Sequence, residues 1–165
     1  MPSFLRPWLL PILCLVNAAA GAGEIPASSA RFAAHALSSL SSGIRYKFGG
    51  TDPDSGLDCS AFIALLYKDA GGGDLPRTAR EISTVGVRVA AGAMQPGDLV
   101  FFRDGQRGIA HVGIYVGGEN FVHASRKHGV IYQSRLSEPY WKSRFKGARR
   151  LPQSTPIFSH HREAQ

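Results

Sequence analysis

The sequence predicts an α+β fold, a single domain in which N-terminal helices pack on an antiparallel β-sheet. The chain has 165 residues, 44% of them hydrophobic, which suits one domain with an ordinary packed core. Its first half carries two stretches with apolar residues at helical spacing, and from Gly97 onward the pattern changes to short runs rich in Val, Ile, Phe and Tyr. Helices followed by strands are typical of an α+β domain, because consecutive strands joined by short turns pair antiparallel.

Residues 1–22 are predicted to be a secretory signal peptide and therefore not part of the fold. Arg6 precedes the apolar run Trp8–Val16, which is shorter than the roughly 20 residues needed to cross a bilayer. Ala18–Ala20 and Ala20–Ala22 both offer an A-x-A cleavage site. A buried N-terminal helix is the alternative. Cleavage would leave an exported protein, periplasmic or secreted, without a stable membrane anchor.

Two helices and an intervening loop are expected in the first half of the mature chain. Ala27–Leu40 is rich in Ala and Leu and predicts the first helix, whereas Ile44–Gly56 is rich in Gly, Pro and Asp and predicts a loop. Ser60–Ala70 predicts the second helix, since its apolar side chains fall on one helical stripe and Gly71–Gly73 follows as a stop signal.

Five strands are expected in the second half, each a short apolar run bounded by turn residues. They are Asp98–Phe102, Ala110–Val116, Asn120–Ala124, Val130–Gln133 and Lys146–Leu151. Together with the helices they make up one predicted domain over residues 23–151. The polar, Pro-containing tail, 152–165, is predicted to be loosely held.

Cys59 is the one cysteine left after removal of the signal peptide, because Cys14 lies inside it. Cysteines in oxidising compartments are usually paired, so an unpaired one is a buried structural residue, an intermolecular link or a reactive thiol. Cys59 stands at the start of the second predicted helix, directly after a glycine-rich loop. A helix N-terminus favours negative charge, so we expect a lowered thiol pKa and a nucleophilic thiolate.

Two histidines, His111 and His123, fall on neighbouring predicted strands. Alternation places Val112 and Ile114 on one face of the first strand and His111 on the other, which predicts a polar groove on the histidine face. A lone histidine on a strand is more often a structural residue. A thiol nucleophile, however, needs a base, and that base needs a third group to fix its tautomer. Cys59, His111 and His123 together supply all three roles.

The two histidines share a face only if the hairpin that joins their strands has the right parity. Residues opposite each other in an antiparallel pair have numbers with a constant sum, and His111 and His123 are both odd, so this sum has to be even. This predicts a hairpin loop of odd length, for instance Val116–Gly118, where glycine accepts a positive φ. A two-residue loop, Gly117–Gly118, would turn His123 to the opposite face.

Seven short segments follow one another in order over roughly residues 30–151. They are Tyr46–Gly50, Leu57–Ser60, Leu75–Thr78, Gln95–Phe102, His111–Tyr115, Phe121–Ala124 and Phe145–Arg150. Each segment is a weak signal alone, but the ordered set resembles the NlpC/P60 family of cell-wall cysteine peptidases, whose fold is a compact relative of the papain fold. The sequence departs from the family pattern at Ala61, where the family usually has glycine.

The resemblance implies a cysteine peptidase that hydrolyses an amide bond in the stem peptide of peptidoglycan, typically between D-glutamate and a diamino acid. It implies Cys59 as the nucleophile, His111 as general base and acid, and His123 as the residue that orients His111. The residues that it implies near the substrate are Tyr46, Asp58, Ser60 and Arg77. We expect a monomer that acts on peptidoglycan or muropeptides without a cofactor or metal.

The formal net charge of +7 favours polyanionic partners, namely nucleic acid, anionic lipid or acidic cell-wall polymers. The predicted signal peptide and the lack of a nucleic-acid-binding motif lead us to expect no nucleic-acid partner. A basic cluster near the C-terminus is interpreted as a solvated face, with a dedicated substrate subsite as the alternative; its members are Arg144, Lys146, Arg149 and Arg150. His160 and His161 are likewise interpreted as solvated, because two adjacent imidazoles lack further metal ligands.

Two alternative functions stay open at this point. Cys59, His111 and His123 are also three plausible zinc ligands, and stoichiometric zinc with chelator-sensitive activity would favour that hypothesis. A non-catalytic peptidoglycan-binding module of the same fold would bind muropeptides without releasing a cleavage product.

Overall fold

The computed structural model describes residues 27–105 and 108–152. The predicted signal peptide and most of the predicted tail, with Cys14 and the pair His160–His161, lie outside the described residues. Within the described part of the chain, no helix is long and apolar enough to cross a membrane.

Helices and strands follow one another as an α+β fold. The helices are α1 (Ala27–Ser38), α2 (Cys59–Asp69), α3 (Ala79–Ile82) and α4 (Pro139–Lys142). The strands are β1 (Thr51–Asp52), β2 (Gly56–Leu57), β3 (Val87–Val89), β4 (Leu99–Arg103), β5 (Ile109–Gly117), β6 (Asn120–Ser125), β7 (Val130–Arg135) and β8 (Phe145–Arg150). Strands β1 and β2 form a small ribbon, and the other six form one antiparallel sheet in the order β3-β8-β4-β5-β6-β7. The predicted fold class is confirmed.

Helix α2 begins at Cys59 because Asp58 caps it. The Asp58 carboxylate accepts a hydrogen bond from the N–H of Ala61 at 2.9 Å, while the Asp58 backbone is still extended. The buried face of the helix comprises Phe62, Ile63 and Leu66. This apolar face holds α2 against the sheet, so the cap fixes where Cys59 lies relative to the strands.

The sheet has an inner face and an outer face. Helices α1, α2 and α3 pack on the inner face, with β5 at the centre of their contacts. The inner face contributes to the main core through Leu99, Phe101, Val112, Ile114 and Val122. The outer face carries a smaller apolar cluster, formed by Val100, Phe102, Phe121, Ala148, Trp141 and Phe145. Side-chain alternation along β4, β5 and β6 therefore separates two apolar layers.

The predicted elements match the observed ones to within a few residues, and five short helices and strands were not predicted. The five predicted strands correspond to β4–β8, and the first helix ends at Ser38 in a 3₁₀ turn over Ser39–Ser41. Helices α3 and α4 have four residues each, strand β3 has three, and strands β1 and β2 have two, which is too few for a periodic pattern. The start of α3 carries a capping box between Thr78 and Glu81, a signal that the sequence does contain.

Candidate active site

The hairpin of β5 and β6 brings His111 and His123 to the outer face of the sheet. Tyr115 pairs with Phe121, so paired residue numbers have the even sum that a shared face requires. Gly113 makes room for this arrangement, because a Cβ there would lie 2.7 Å from the Phe121 ring and 3.3 Å from the Cβ of His123. The expected common face is confirmed.

The loop of this hairpin differs from the predicted one. The register shifts after Tyr115, and Gly117 pairs with Asn120, which leaves the two-residue turn Gly118–Glu119. Both turn residues have positive φ, +55° and +66°, as the tight turns favoured in hairpins require. The predicted three-residue loop Val116–Gly118 is wrong, and a bulge at Val116 supplies the extra residue instead.

His111, His123 and Ser134 form a hydrogen-bonded chain across β5, β6 and β7. Nε2 of His111 lies 2.9 Å from Nδ1 of His123, and Nε2 of His123 lies 3.2 Å from Oγ of Ser134. His123 and Ser134 are almost fully buried, at 1% and 4% exposure. The chain leaves Nδ1 of His111 as the ring nitrogen available to a thiol. In the tautomer that keeps Nδ1 unprotonated, His111 donates to His123 and His123 donates to Ser134.

The histidine face is aromatic, and the predicted polar groove is wrong. The ring of Trp141 stacks on His111 with centroids 5.4 Å and planes 25° apart, and it meets His123 edge to face at 5.0 Å. Phe102 and Phe121 pack against the same indole ring. Alternation along β5 predicts the direction of the His111 side chain but not its covering, because Trp141 comes from α4, a distant and short element.

Apolar packing sets the protonation of both imidazoles. Burial lowers the pKa of His111 to about 4. Burial also lowers the pKa of His123 well below its usual range, and repulsion from His111 and His128 adds to that effect. Desolvation disfavours the charged imidazolium in each case. At neutral pH both rings are therefore neutral, with one donor and one acceptor nitrogen each, as the hydrogen-bonded chain requires.

The thiol of Cys59 has a raised pKa, contrary to the sequence-based expectation. Burial raises it to about 11 and the charge of Asp58 adds to the shift, whereas backbone N–H groups of Val112, Ser60 and Cys59 itself oppose it. The predicted thiolate is wrong for the free protein, because desolvation outweighs the field of the helix N-terminus. The resting site holds a neutral thiol and a neutral imidazole.

Cys59 approaches the strand that carries His111. The backbone N–H of Val112, the residue after His111, is near enough to the Cys59 sulfur to lower the thiol pKa. Within the part of the chain that the structure describes, the sulfur makes no hydrogen bond to the His111 ring. Hydrogen bonds between catalytic groups are often long before substrate binds, so this arrangement is compatible with a thiol–imidazole pair.

Tyr46 lies beside the thiol. Burial raises the pKa of its phenol, ionisation of Cys59 and the charge of Asp58 raise it further, and the nearby Arg126 opposes them. The backbone N–H of Tyr46 donates to the carbonyl of Gly129 at 2.7 Å, which ties the tyrosine to the turn between β6 and β7. The phenol is thus a hydrogen-bond donor within electrostatic reach of the thiol at neutral pH.

Asp58, Ser60 and Arg77 form a compact ion-pair cluster at the start of α2. Arg77 contacts both carboxylate oxygens of Asp58, at 3.1 and 2.6 Å, and donates to Oγ of Ser60 at 2.9 Å. Burial alone would raise the pKa of Asp58, but hydrogen bonds from Arg77, Ala61 and Ser60 outweigh it and hold that pKa below its usual value. Ser60 and Arg77 line an open groove of about 280 Å³, whose remaining wall includes Leu65 and Leu75.

The donor set does not fit the zinc alternative. In the described ranges, no group of three or more His, Cys, Asp or Glu side chains is arranged to hold a metal ion. The facing nitrogens of His111 and His123 are 2.9 Å apart, a distance that suits a shared proton.

Two residues of the site, Ser134 and Trp141, were not predicted. Ser134 is one polar residue among several in its strand, and only the pairing of β6 with β7 brings it to His123. Trp141 belongs to a helix of four residues. An aromatic pair directly after Pro139 was the one signal that could have marked it.

Sequence comparisons identify similar proteins. The sequence model of the NlpC/P60 family matches residues 43–150. The murein DD-endopeptidase MepS/murein LD-carboxypeptidase of Escherichia coli K12 is 45% identical over 109 residues, covering 66% of this chain and 56% of that protein. The gamma-DL-glutamyl hydrolase of Bacillus subtilis is 42% identical over 123 residues, covering 71% of this chain and 30% of that protein. The chain therefore spans about half, or less, of the length of these relatives.

Solved structures of NlpC/P60 family proteins have a similar fold. An NLP/P60 family protein from Staphylococcus aureus, described as similar to lipoprotein, superposes with a TM-score of 0.68 at 31% identity, over 79% of this chain and 43% of that chain. An NlpC/P60 family protein from Bacillus cereus superposes with a TM-score of 0.67 at 32% identity, over 78% of this chain and 42% of that chain.

Proposed function

The chain belongs to the NlpC/P60 family, and from this premise we propose that it is a cysteine endopeptidase that hydrolyses an amide bond in peptidoglycan stem peptides. Cys59 acts as the nucleophile, His111 as the general base and acid, and His123 as the residue that orients His111. The observation that carries the proposal is the 2.9 Å contact between Nε2 of His111 and Nδ1 of His123, which leaves Nδ1 of His111 free for the thiol proton.

The acylation step follows from the neutral resting pair. As the Cys59 sulfur attacks the carbonyl carbon, its proton passes to Nδ1 of His111, and the carbonyl oxygen becomes an oxyanion. The first N–H groups of a helix have no intrahelical acceptor, so the N–H of Cys59 can donate to that oxygen, with Tyr46 as a second donor. The amide C–N bond then breaks, and His111 returns the proton to the leaving amine.

Deacylation uses the same groups in reverse. His111 takes a proton from water as the water oxygen attacks the thioester carbonyl, and it passes that proton to the sulfur as the C–S bond breaks, which regenerates the thiol. The hydrogen bond from His111 to His123 holds the ring in one tautomer during both steps. His111 and His123 stay neutral at rest because their pocket is apolar, so no counter-charge has to be displaced when substrate binds.

The bond we propose is the one between D-glutamate and the diamino acid. A stem peptide carries free carboxylates, and the chain without residues 1–22, with 18 basic and 12 acidic residues, has a net charge of +6 that suits such a ligand. The relatives act on different bonds by name, since one is a DD-endopeptidase and another a gamma-DL-glutamyl hydrolase. A cross-link between D-alanine and a diamino acid is therefore the second candidate bond.

Mass spectrometry of defined muropeptides tests the proposal. The chain without residues 1–22 would be incubated with a disaccharide-tetrapeptide and with a cross-linked dimer, beside the matched variant Cys59→Ser. Products with a new N-terminal diamino acid support the D-glutamyl bond, and monomers released from the dimer support the cross-link. Saturable muropeptide binding with no product from either substrate would contradict the peptidase and leave a non-catalytic binding module.

Export and a monomeric state belong to the same proposal. Peptidoglycan lies outside the cytoplasmic membrane, so the enzyme has to be exported, and residues 1–22 supply a signal for it. N-terminal sequencing of the protein recovered from the periplasm or medium would test cleavage after Ala20 or Ala22. Sedimentation of the mature chain tests the monomer.

A further inference from the structure

The basic residues near the C-terminus do not form one solvated face. Arg150 makes two hydrogen bonds to the buried Asp98, at 2.7 and 2.9 Å, and Arg149 donates to the carbonyl of Gly86 at 3.0 Å. Arg144 and Lys146, by contrast, join Arg103 around an open cavity of about 550 Å³. The interpretation of all four residues as a solvated face is therefore wrong for Arg149 and Arg150, which bind protein groups away from this cavity.

The two guanidinium groups at this cavity are held in place by protein groups. Nη2 of Arg103 donates to the carbonyl of Ser143 at 3.4 Å, and Nη1 of Arg144 donates to the carbonyl of Tyr140 at 3.2 Å. The Arg144 guanidinium also lies 3.9 Å from the centre of the Tyr140 ring. Prior positioning lowers the conformational entropy that a ligand has to remove when it binds.

Within residues 27–105 and 108–152, these three cations have no anionic partner. Among the described residues, the ion pairs include none made by Arg103, Arg144 or Lys146. Nε of Arg144 is also buried without a hydrogen-bond acceptor in that part of the chain. Three positive charges around one cavity repel one another, so an oxyanion bound between them gains attraction from each.

Two residues that form or contact the cavity wall, Arg103 and Tyr140, are sequence neighbours of residues that contact or pair with His111. Arg103 directly follows Phe102, which pairs with His111 in the ladder of β4 and β5. Trp141, which stacks on His111, stands next to Tyr140, the residue that holds Arg144. The cavity shares no lining residue with the groove beside Ser60 and Arg77, so the two are separate sites.

We propose that Arg103, Arg144 and Lys146 form an oxyanion-binding subsite that takes a carboxylate of the stem peptide. This inference rests on the proposed function for the identity of the ligand, but not for the existence of the site. Planar guanidinium groups match carboxylate geometry with two parallel hydrogen bonds, and Lys146 adds a point charge. Inorganic phosphate offers the same chemistry from another source, so the test has to separate the two.

Arginine side-chain NMR tests the site without turnover. In a Cys59→Ser background, the Nε–H signals of Arg103 and Arg144 would be followed at constant ionic strength during three titrations: a stem tetrapeptide, the same peptide with its carboxylates amidated, and inorganic phosphate. We expect a saturable shift with the free tetrapeptide and none with the amidated one. Equal shifts with both peptides, no shift, or saturation by phosphate alone would overturn the proposal.

Variants extend the test to the active enzyme. Arg103→Gln and Lys146→Gln should each weaken tetrapeptide binding about tenfold, and should raise KM by a similar factor with kcat kept. Arg88→Gln, an exposed change on β3, is the matched control and should alter neither. Thermal unfolding verifies that each variant is folded. Unchanged tetrapeptide binding in both cavity variants would contradict the subsite even if the enzyme is active, and a saturable shift without turnover would keep the subsite while contradicting the peptidase.

Discussion

The imidazole rings of His111 and His123 stand edge to face, with ring planes 90° apart and the facing nitrogens 2.9 Å from each other. One proton can therefore lie between the two rings in a nearly fixed direction. Because His123 is bonded in turn to the buried Ser134, the direction in which His111 donates depends on a group two strands away. The general base of the proposed mechanism, His111, is thus oriented by hydrogen bonds through the neutral side chains of His123 and Ser134, and not by a carboxylate.

Replacement of His123 should reduce turnover without abolishing it. His123→Ala removes the acceptor for the His111 Nε2–H, so a fraction of the rings takes the wrong tautomer, and we expect kcat/KM to fall about 10²- to 10³-fold. Cys59→Ser and His111→Ala should reduce kcat/KM further than His123→Ala does. His123→Asn, which can accept at a similar place, should recover part of the activity. Steady-state hydrolysis of a muropeptide measures all four, and full activity of His123→Ala would contradict the orienting role.

Alkylation of Cys59 should follow the titration of a thiol with a raised pKa. Thiolate is the reacting form, and burial raises the Cys59 pKa to about 11, so its rate with iodoacetamide should climb steadily from pH 6 to pH 10. A free model thiol, with a pKa of about 8.5, levels off within that range and serves as the control. Mass spectrometry of the alkylated protein gives the rate. A plateau already below pH 7 would indicate a resting thiolate–imidazolium pair and contradict the neutral pair.

Acid should destabilise the fold through the two buried histidines. The pKa of His111 is lowered to about 4 in the folded protein, from about 6.5 when unfolded, so the unfolded state binds more protons between these values. The contribution of neutral His111 to the free energy of unfolding is fully present above about pH 6.5 and is lost as the pH falls toward 4. For His111 alone this loss amounts to up to about 3 kcal/mol. His123 acts in the same direction.

Chemical denaturation at pH 7, 5.5 and 4.5 measures this loss. The double variant His111→Gln/His123→Asn keeps polar side chains that do not titrate, so its free energy of unfolding should vary less over the same range. An equally steep dependence in the double variant would assign the acid sensitivity to other groups.

Trp141 should act on activity through the His111 ring. The indole stacks on the imidazole and excludes water from it, so Trp141→Leu should let His111 move and ionise more easily. We expect kcat to fall about tenfold and the acid limb of the pH–rate profile to move to higher pH. Trp141→Phe keeps an aromatic face and should restore most of the rate. A lower kcat with an unmoved acid limb would reduce Trp141 to a merely structural residue.

Local patterns predicted the two histidines as a pair, but not their environment. Alternation and parity put His111 and His123 on one face, because a period of two depends on neighbouring residues alone. The covering of that face depends on Trp141, and the second hydrogen bond of His123 depends on Ser134, contacts that only the order of the strands determines. The prediction of a lowered pKa for the Cys59 thiol was wrong for the same reason, since the burial of Cys59 depends on the packing of the whole domain.

The loop between β5 and β6 could not be predicted from the sequence for a different reason. Its parity followed from the assumption that the histidines share a face, but two constructions satisfy it: an odd loop, or an even loop with a bulge. The structure uses the second, with Gly118 and Glu119 in the turn and the bulge at Val116. The residues Gly117 and Gly118 suit both constructions equally, so the sequence alone could not distinguish them.

The ion pair of Asp98 and Arg150 should stabilise the fold without a part in catalysis. Asp98 is fully buried, accepts two hydrogen bonds from Arg150 at 2.7 and 2.9 Å, and accepts a third from the backbone N–H of Gln95 at 2.8 Å. Asp98→Asn removes the charge and leaves the guanidinium short of acceptors in a partly buried position. We expect a loss of about 3 kcal/mol in the free energy of unfolding, because breaking one side of a buried pair leaves the other charge uncompensated.

Asp74→Asn is the matched control. Its partner Lys68 lies 3.6 Å away, and the two side chains are 93% and 72% exposed, so water already solvates both charges. That change should cost less than about 0.5 kcal/mol. Denaturant unfolding at pH 7 compares the two variants, and activity per folded molecule should be unchanged in Asp98→Asn, because Asp98 does not touch Cys59, His111 or His123 in the described hydrogen bonds. Equal losses of stability would contradict the assignment of Asp98 to a buried, structural pair, and a loss of turnover in folded Asp98→Asn would connect the pair to the active site.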